Sequence, residues 1–184
     1  QYSGSVAEVS RALRIALECH AAQIRKIDKS PYIVHPVMVA ITLSRHGFSE
    51  EVVAAGLVHD VVEDTPLTRD DIARELGEPV AALVDIVTED KTISWEDRKL
   101  KYIEAVRSGP DGAKAISAAD KIHNAESLIC GHAQSGPDIW KSFSRGRDEQ
   151  IGFQKDMLSM LQSSWSHPLV EEFAAVVARL EQLS

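Results

Sequence analysis

Apolar residues recur at helical spacing along nearly the whole chain, and no segment shows the alternation of apolar and polar residues that is typical of a half-buried strand. Capping residues, glycines and prolines divide this pattern into segments. The predicted helices are about 5–24, 35–47, 49–62, 68–77, 79–88, 94–108 and 112–129, followed by a loop at 131–137 and two more helices, the last starting at Pro168. The pattern therefore predicts an all-α fold of about nine helices.

Local start signals support these boundaries. Ser49 precedes the third helix as a cap, with acidic residues in the first turn, where the helix dipole favours them. Thr68, with Asp71 three residues on, resembles a capping box, and Gly77 closes that helix. The 184 residues include no repeat or low-complexity linker, so we expect a single domain spanning residues 1–184.

The chain is acidic, with a formal net charge of -8 and a pI of about 5.3. Proteins that bind nucleic-acid phosphates usually have clustered lysine and arginine, so the net negative charge argues against a nucleic-acid-binding module. It leaves small phosphorylated ligands open, because a bound metal and a few cations can reverse the field inside one cleft.

No run of 18 apolar residues and no cleavable leader is evident, so we expect no membrane partner. Cys19 and Cys130 have no CxxC partner, and we interpret them as free core cysteines in a reducing compartment. These features predict a soluble, cytoplasmic protein. The oligomeric state stays open.

The segment from His59 to Asp64 (His-Asp-Val-Val-Glu-Asp) places four ionisable residues at the end of a helix whose preceding flank, 54–58, is small and apolar. On a continuous helix His59 stacks with Glu63, and Asp60 with Asp64, four residues apart. Buried carboxylates and imidazoles are costly unless they are paired or bind a cation. Imidazole mixed with hard oxygen ligands, and without thiolates, points to a divalent metal rather than a structural zinc site.

Three further features carry candidate chemistry, although each alone has an ordinary structural interpretation. His35 precedes Pro36 at a helix start, where a cap or surface role is common. Asp120 lies in an apolar helix with Asn124 four residues on, and therefore on the same helix face, and a buried aspartate can serve as a hydrogen-bond hub. Arg25 and Lys26 end a helix, where cations complement the dipole.

Taken together, these features resemble the HD superfamily of metal-dependent phosphohydrolases, and specifically the hydrolase domain of the RelA/SpoT alarmone enzymes. The resemblance covers more than half of the chain, from His20 to about Leu128. The matching motifs are His20-x-x-Gln23-x-Arg25-Lys26, Pro31-Tyr32-Ile33-x-His35-Pro36, Leu57-x-His59-Asp60-Val61-Val62-Glu63-Asp64-Thr65 and Ala119-Asp120-Lys121-x-His123-Asn124. The stretch 87–92, followed by Arg98 and Lys99, is similar to the small stand-alone alarmone hydrolases.

The resemblance implies an HD-type helical bundle and a set of residue roles. His35, His59, Asp60 and Asp120 carry over as ligands of one divalent ion, usually Mn²⁺. Glu63 and Asp64 would orient and deprotonate the attacking water. Arg25 and Lys26 would contact the base and the phosphates, and Asn124 would hold the ribose. The expected reaction is hydrolysis of the 3′-pyrophosphate of guanosine tetra- or pentaphosphate, a small-molecule nucleotide substrate, to GDP or GTP plus pyrophosphate.

Departures from the family pattern leave alternatives open. The long enzymes usually have arginine where this chain has Glu126, and a more aliphatic run where it has residues 116–119. These changes concern how the distant phosphates are held. The alternatives are an adenosine alarmone or NADPH as substrate of the same site, a nucleotidase of the wider HD group, and a nucleotide-sensing module without catalysis.

Overall fold

The computed structural model describes residues 4–184, which form ten α-helices and one 3-10 helix and contain no strand. The all-α prediction is thus confirmed. The helices are α1 (Gly4–Cys19), α2 (Val34–Arg45), α3 (Glu50–Val58), α4 (Val61–Asp64), α5 (Arg69–Leu76), α6 (Glu78–Ile86), α7 (Trp95–Ser108), α8 (Asp111–Ser135), α9 (Arg147–Ser164) and α10 (Pro168–Leu180), with the 3-10 helix at Gly136–Ser142. Their buried apolar side chains form one continuous core.

The first helix ends earlier than its periodicity predicts, at Cys19 rather than near residue 24. Beyond it the backbone pairs with the segment that leads into α2. The Arg25 N–H donates to the carbonyl of Ser30 at 2.9 Å, and the Tyr32 N–H donates to the carbonyl of Gln23 at 2.9 Å. This small antiparallel pairing, which a helical pattern cannot reveal, places Arg25 and Tyr32 beside the start of α2.

The predicted helix over 49–62 is divided between α3 and α4. Its start is confirmed, since the Ser49 side chain accepts from the N–H of Val52. It breaks after His59, where Asp60 has φ -93° and ψ -6°, outside the regular helical geometry. The predicted stacking of His59 on Glu63 is therefore wrong, because the two residues no longer share one helix face.

Helix α3 lies at the centre of the core, and every residue from Val52 to Val58 is buried. It packs against α1, α2, α6 and α8. A Cβ atom at Gly56 would lie 2.5 Å from Cδ1 of Leu43 on α2. The glycine thus lets α2 and α3 approach closely, and the close approach sets the distance between His35 and His59.

Helix α8 is the longest element, with 25 residues, and continues to Ser135. The predicted loop at 131–137 is wrong for its first five residues. Gly131 looks like a helix breaker in the sequence, yet it is a contact point: a Cβ there would lie 2.2 Å from Cδ1 of Ile139 and 2.9 Å from Cγ2 of Ile27. The 3-10 helix packs directly on α8 at this position.

The capping box at the start of α5 is confirmed. The Thr68 hydroxyl accepts from the N–H of Asp71 at 3.3 Å, and the Asp71 carboxylate accepts from the N–H of Thr68 at 2.9 Å. Gly77 follows the helix with φ +90°, a backbone conformation that favours glycine.

No helix in the described part of the chain combines the length and the apolar character needed to cross a bilayer. Cys19 and Cys130 are both free, and Cys19 is partly buried and packs against the core. Cys130 is exposed on the outward face of α8, so its interpretation as a core cysteine is wrong.

Candidate functional site

The structure brings together four predicted residues from three separate parts of the chain. His35 lies in the first turn of α2, His59 and Asp60 at the break between α3 and α4, and Asp120 midway along α8. His35 Nε2 is 3.0 Å from Asp120 Oδ1 and 3.6 Å from Asp60 Oδ2. His59 Nε2 is 3.2 Å from Asp60 Oδ2 and 3.7 Å from Asp120 Oδ1. Two imidazoles and two carboxylates therefore face one small space.

Hydrogen bonds behind the two imidazoles aim their Nε2 atoms at this space. His59 Nδ1 lies 2.7 Å from the carbonyl of Gly56, which can only accept, so this nitrogen carries the hydrogen. In the neutral ring His59 Nε2 then has a lone pair, and this atom is buried without a hydrogen-bond partner among the described residues. His35 Nδ1 is paired with His123 Nδ1 at 2.7 Å, which turns the His35 Nε2 towards the carboxylates.

This donor set fits a divalent metal ion. Ligand atoms of His35, His59 and Asp120 all lie within 4.8 Å of one another, and all three residues are buried. A buried nitrogen lone pair facing carboxylate oxygens is costly unless a cation lies between them. Burial alone would lower the pKa of His59, but the charges of Asp60 and Asp120 raise it well above its usual value, so the space favours positive charge.

The two carboxylates are held in place by further contacts. The Tyr32 hydroxyl donates to Asp60 Oδ2 at 2.6 Å. Asn124 Nδ2 donates to Asp120 Oδ1 at 2.7 Å, and Lys121 Nζ lies 2.6 Å from Asp120 Oδ2. Burial raises the pKa of Asp120, but Lys121 and the two imidazoles outweigh it and hold this pKa well below its usual range. Asp120 is thus ionised, as a cation ligand must be. The contact with Asn124 confirms the prediction that these residues share one helix face.

Glu63 and Asp64 lie on α4, next to the cluster. Glu63 Oε2 accepts a hydrogen bond from the N–H of Glu89 at 3.0 Å, and Glu63 Oε1 is 3.2 Å from Lys91 Nζ. Asp64 pairs with the same lysine and accepts a longer bond, 3.4 Å, from Tyr32. Burial, followed by the charge of Asp60, raises the pKa of Glu63. A partly buried carboxylate with a raised pKa is suited to take a proton from water.

A polar cleft of about 190 Å³ opens onto these groups. A second cavity of about 180 Å³ shares Lys99, Lys121 and Asn124 with the cleft, so the two are adjacent. The second cavity is lined by apolar and amide side chains, namely Ile27, Leu128, Phe143, Phe153, Gln150 and Gln154. The two adjacent cavities thus have lysine side chains where they meet and a recess of mixed apolar and amide side chains at one end.

The predicted substrate contacts are brought together only in part. Asn124 borders both cavities. Arg25 is 5% exposed, and its Nη2 donates to Asn124 Oδ1 at 3.3 Å and to Ser127 Oγ at 3.2 Å. Lys26 is exposed, and neither Arg25 nor Lys26 lines the cleft or the second cavity. In this structure Arg25 reaches the site through Asn124.

Sequence reasoning gave no site role to Tyr32, His123, Glu89 or Lys99. All four stand within the motifs quoted above, so a signal was present. Their contacts join residues between 10 and 88 positions apart, and the motifs do not specify such pairings.

Comparison with known proteins agrees with this geometry. The chain is 31% identical over 182 residues to guanosine-3′,5′-bis(diphosphate) 3′-pyrophosphohydrolase MESH1 of Xenopus tropicalis, covering 95% of this chain and 99% of the relative. A crystal structure from Listeria monocytogenes EGD-e is 41% identical with a TM-score of 0.73, covering 78% of this chain and 96% of that one. A metazoan ortholog of SpoT that hydrolyses ppGpp is 29% identical with a TM-score of 0.78, covering 94% of this chain and 95% of that one. The model of the family described as HD domain matches residues 12–150, and the chain belongs to this family.

Proposed function

We propose that this chain hydrolyses the 3′-pyrophosphate of guanosine tetra- and pentaphosphate, releasing pyrophosphate and leaving GDP or GTP. The observation that carries the proposal is the convergence of His35, His59, Asp60 and Asp120 beside the carboxylate of Glu63. The relative from Xenopus tropicalis, which matches almost the whole chain, bears the name of this activity. The chain is accordingly a hydrolase that acts on a nucleotide.

The four converging residues are proposed to hold one divalent ion, with Mn²⁺ as the preferred metal. The buried, unpartnered Nε2 of His59 and the neighbouring carboxylates support this assignment. When bound, a divalent ion supplies Lewis-acid chemistry, which polarises a phosphoryl oxygen and lowers the pKa of water. Gly56 and His123 orient the imidazoles from behind, and such contacts usually contribute to affinity.

Glu63 is proposed to take the proton from the attacking water, with Asp64 orienting that water. The water oxygen forms a bond to the phosphorus that carries the 3′ oxygen, and the bond between that phosphorus and the 3′ oxygen breaks. The 3′ oxygen takes up a proton from solvent and becomes the 3′ hydroxyl of GDP or GTP, and pyrophosphate leaves with the new oxygen. Burial raises the pKa of Glu63, which improves its match to a base that works near neutral pH. Tyr32 contacts Asp60 and Asp64, so it ties the ion site to the water site.

The two adjacent cavities suggest how the nucleotide lies. Lys99 and Lys121 stand where the cavities meet, and they are proposed to face the phosphates, with Lys26 contributing from outside the cleft. The recess at the far end combines apolar side chains with the amides of Gln150 and Gln154, and it is proposed to hold the purine base. Asn124 is proposed to contact the ribose between the phosphates and the base, and the hydrogen bond from Arg25 to Asn124 supports a role for Arg25 in orienting it.

Product analysis tests the proposal. We expect guanosine tetraphosphate to give GDP and pyrophosphate, with activity lost in chelator and restored best by Mn²⁺. Asp60→Ala should abolish turnover, whereas Asp70→Ala, a carboxylate with a 92% exposed side chain, should leave it unchanged. Glu63→Gln should keep its metal while kcat falls by about 10²–10⁴-fold, the range for a lost general base. Orthophosphate as the first product, full activity after chelation, or inertness towards every 3′-pyrophosphorylated nucleotide would contradict the proposal.

A further inference from the structure

The loop between α6 and α7 contains a carboxylate that the proposed chemistry does not use. Glu89 has a side chain that is 9% exposed, which is low for a charged group. One carboxylate oxygen lies 2.7 Å from Arg98 Nε, and the other lies 2.6 Å from Lys99 Nζ. Both cations belong to α7, and the side chain of Glu89 is therefore fixed to that helix.

The main chain of the same residue contacts the site. The N–H of Glu89 donates to Glu63 Oε2 at 3.0 Å. Glu63 Oε1 has its contact with Lys91, whose side chain is 50% exposed. Glu63 thus has one contact to the exposed side chain of Lys91 and one to the main chain of Glu89, and Glu89 is the better anchored of the two because its side chain is fixed to α7. Its donation holds one oxygen of Glu63 in place.

We propose that Glu89 is a positioning residue for Glu63. Its side chain, clamped between Arg98 and Lys99, fixes the loop so that its N–H holds the Glu63 carboxylate in one orientation. The last side-chain torsion angle of a glutamate has a broad distribution, so a single fixed hydrogen-bond donor restricts this angle substantially. This inference rests on the proposed function, and specifically on Glu63 as the group that takes the proton.

A double-mutant cycle tests the inference. Glu89→Gln removes the charge that anchors the loop and keeps the size of the side chain. We expect kcat for the tetraphosphate to fall by about 10-fold with metal content unchanged, because a misoriented base affects the chemical step. KM should not rise, because Lys99 loses its carboxylate partner and stays available to the phosphates. In a Glu63→Gln background the same substitution should change kcat by less than about 2-fold, because residues that act through one another are not additive.

A structural role would give a different pattern. If Glu89 only stabilises the fold, its effect multiplies with that of Glu63→Gln, or appears as lost metal or raised KM, and each of these results overturns the inference. Glu104→Gln is the matched control: it removes a carboxylate on α7 that pairs with Arg107 on the surface, and its kcat should not change. If Glu89→Gln does not fold, Arg98→Gln removes one half of the clamp and should give a smaller fall of the same kind. An unchanged kcat in folded Arg98→Gln then counts against the inference.

This experiment also separates the inference from the proposed function. If the wild-type chain does not release pyrophosphate, the proposed function is refuted, and so is the role of Glu63 on which the inference depends. A wild-type chain that is active while Glu89→Gln retains its full kcat refutes the inference alone.

Discussion

Replacing His123 by phenylalanine should weaken metal binding although His123 is not one of the four proposed ligands. Its Nδ1 lies 2.7 Å from Nδ1 of His35, whose side chain is 2% exposed. Burial, followed by the charges of His35 and Arg25, lowers the pKa of His123 to about 4. His123 is thus neutral at neutral pH and can accept the hydrogen of His35 Nδ1.

The size of the effect follows from what the substitution leaves behind. Without His123, the hydrogen on His35 Nδ1 has lost its partner in a buried position, which costs about 1–3 kcal/mol. The alternative is a shift of that hydrogen to Nε2, beside Asp120 Oδ1 at 3.0 Å, where it occupies the proposed ligand atom. Because the metal-free ring can take this second form, metal binding has to return the hydrogen to the unpaired Nδ1 position, and we expect a loss of about 10- to 100-fold in metal affinity.

Calorimetric titration of the metal-free protein with Mn²⁺ measures this loss, and activity at saturating Mn²⁺ should recover to near the wild-type value. His132→Phe is the control, because His132 lies on the same helix and its Nε2 contacts the carbonyl of Ser184 instead. An unchanged metal affinity in His123→Phe would refute the reasoning that the contact between the two imidazoles prepares His35 as a ligand.

Three further predictions concern stability and the second cavity. Gly131→Ala should lower the free energy of unfolding by about 1–3 kcal/mol, because the new methyl group overlaps Ile139 and Ile27. Gly152→Ala should raise it by about 0.5–1 kcal/mol, because a Cβ at this helical position has no other atom within 4 Å. Denaturant unfolding measures both changes. Hydrogen bonds from the N–H of Thr68 and then from Arg74 lower the pKa of Asp71 to about 2 from 3.8. Its contribution to stability is therefore present above about pH 4 and is lost as the pH falls towards 2. Asp71→Asn should flatten the profile of stability against pH in that window, and an unaltered profile would contradict the capping assignment. Gln154→Leu should raise KM by about 2- to 10-fold at constant kcat, because Gln154 borders the proposed base recess and its Oε1 is buried without a partner in the described residues. Gln162→Leu is the control, because Gln162 is exposed on the same helix. An equal KM in both variants would place the base elsewhere.

The sequence predicted helix identity and the caps well because these depend on neighbouring residues. The Ser49 and Thr68 caps, and the shared face of Asp120 and Asn124, are set within one or two turns and were confirmed. The convergence of the proposed ligands came from the resemblance, since spacing alone does not place residue 35 beside residue 120.

Tertiary contacts explain where sequence reasoning was wrong. The end of α1 was misplaced because Arg25 and Tyr32 pair with backbone partners beyond the local window. Gly131 was interpreted as a loop residue because composition does not show that α8 needs a small residue where the 3-10 helix packs. The stacking of His59 on Glu63 was predicted from a continuous helix, but the chain breaks at Asp60.

That break has a consequence for the order of events at the site. His59 turns inward and its side chain is 3% exposed, whereas the next side chain, Asp60, is 17% exposed and borders the cleft. The described residues close the cluster on the protein side, and the cleft is its entrance. The cleft also borders Lys99, Lys121 and Asn124, which are proposed to contact the nucleotide. For the proposed function, a nucleotide bound in this cleft covers Asp60, so this geometry favours an order in which the ion enters before the nucleotide.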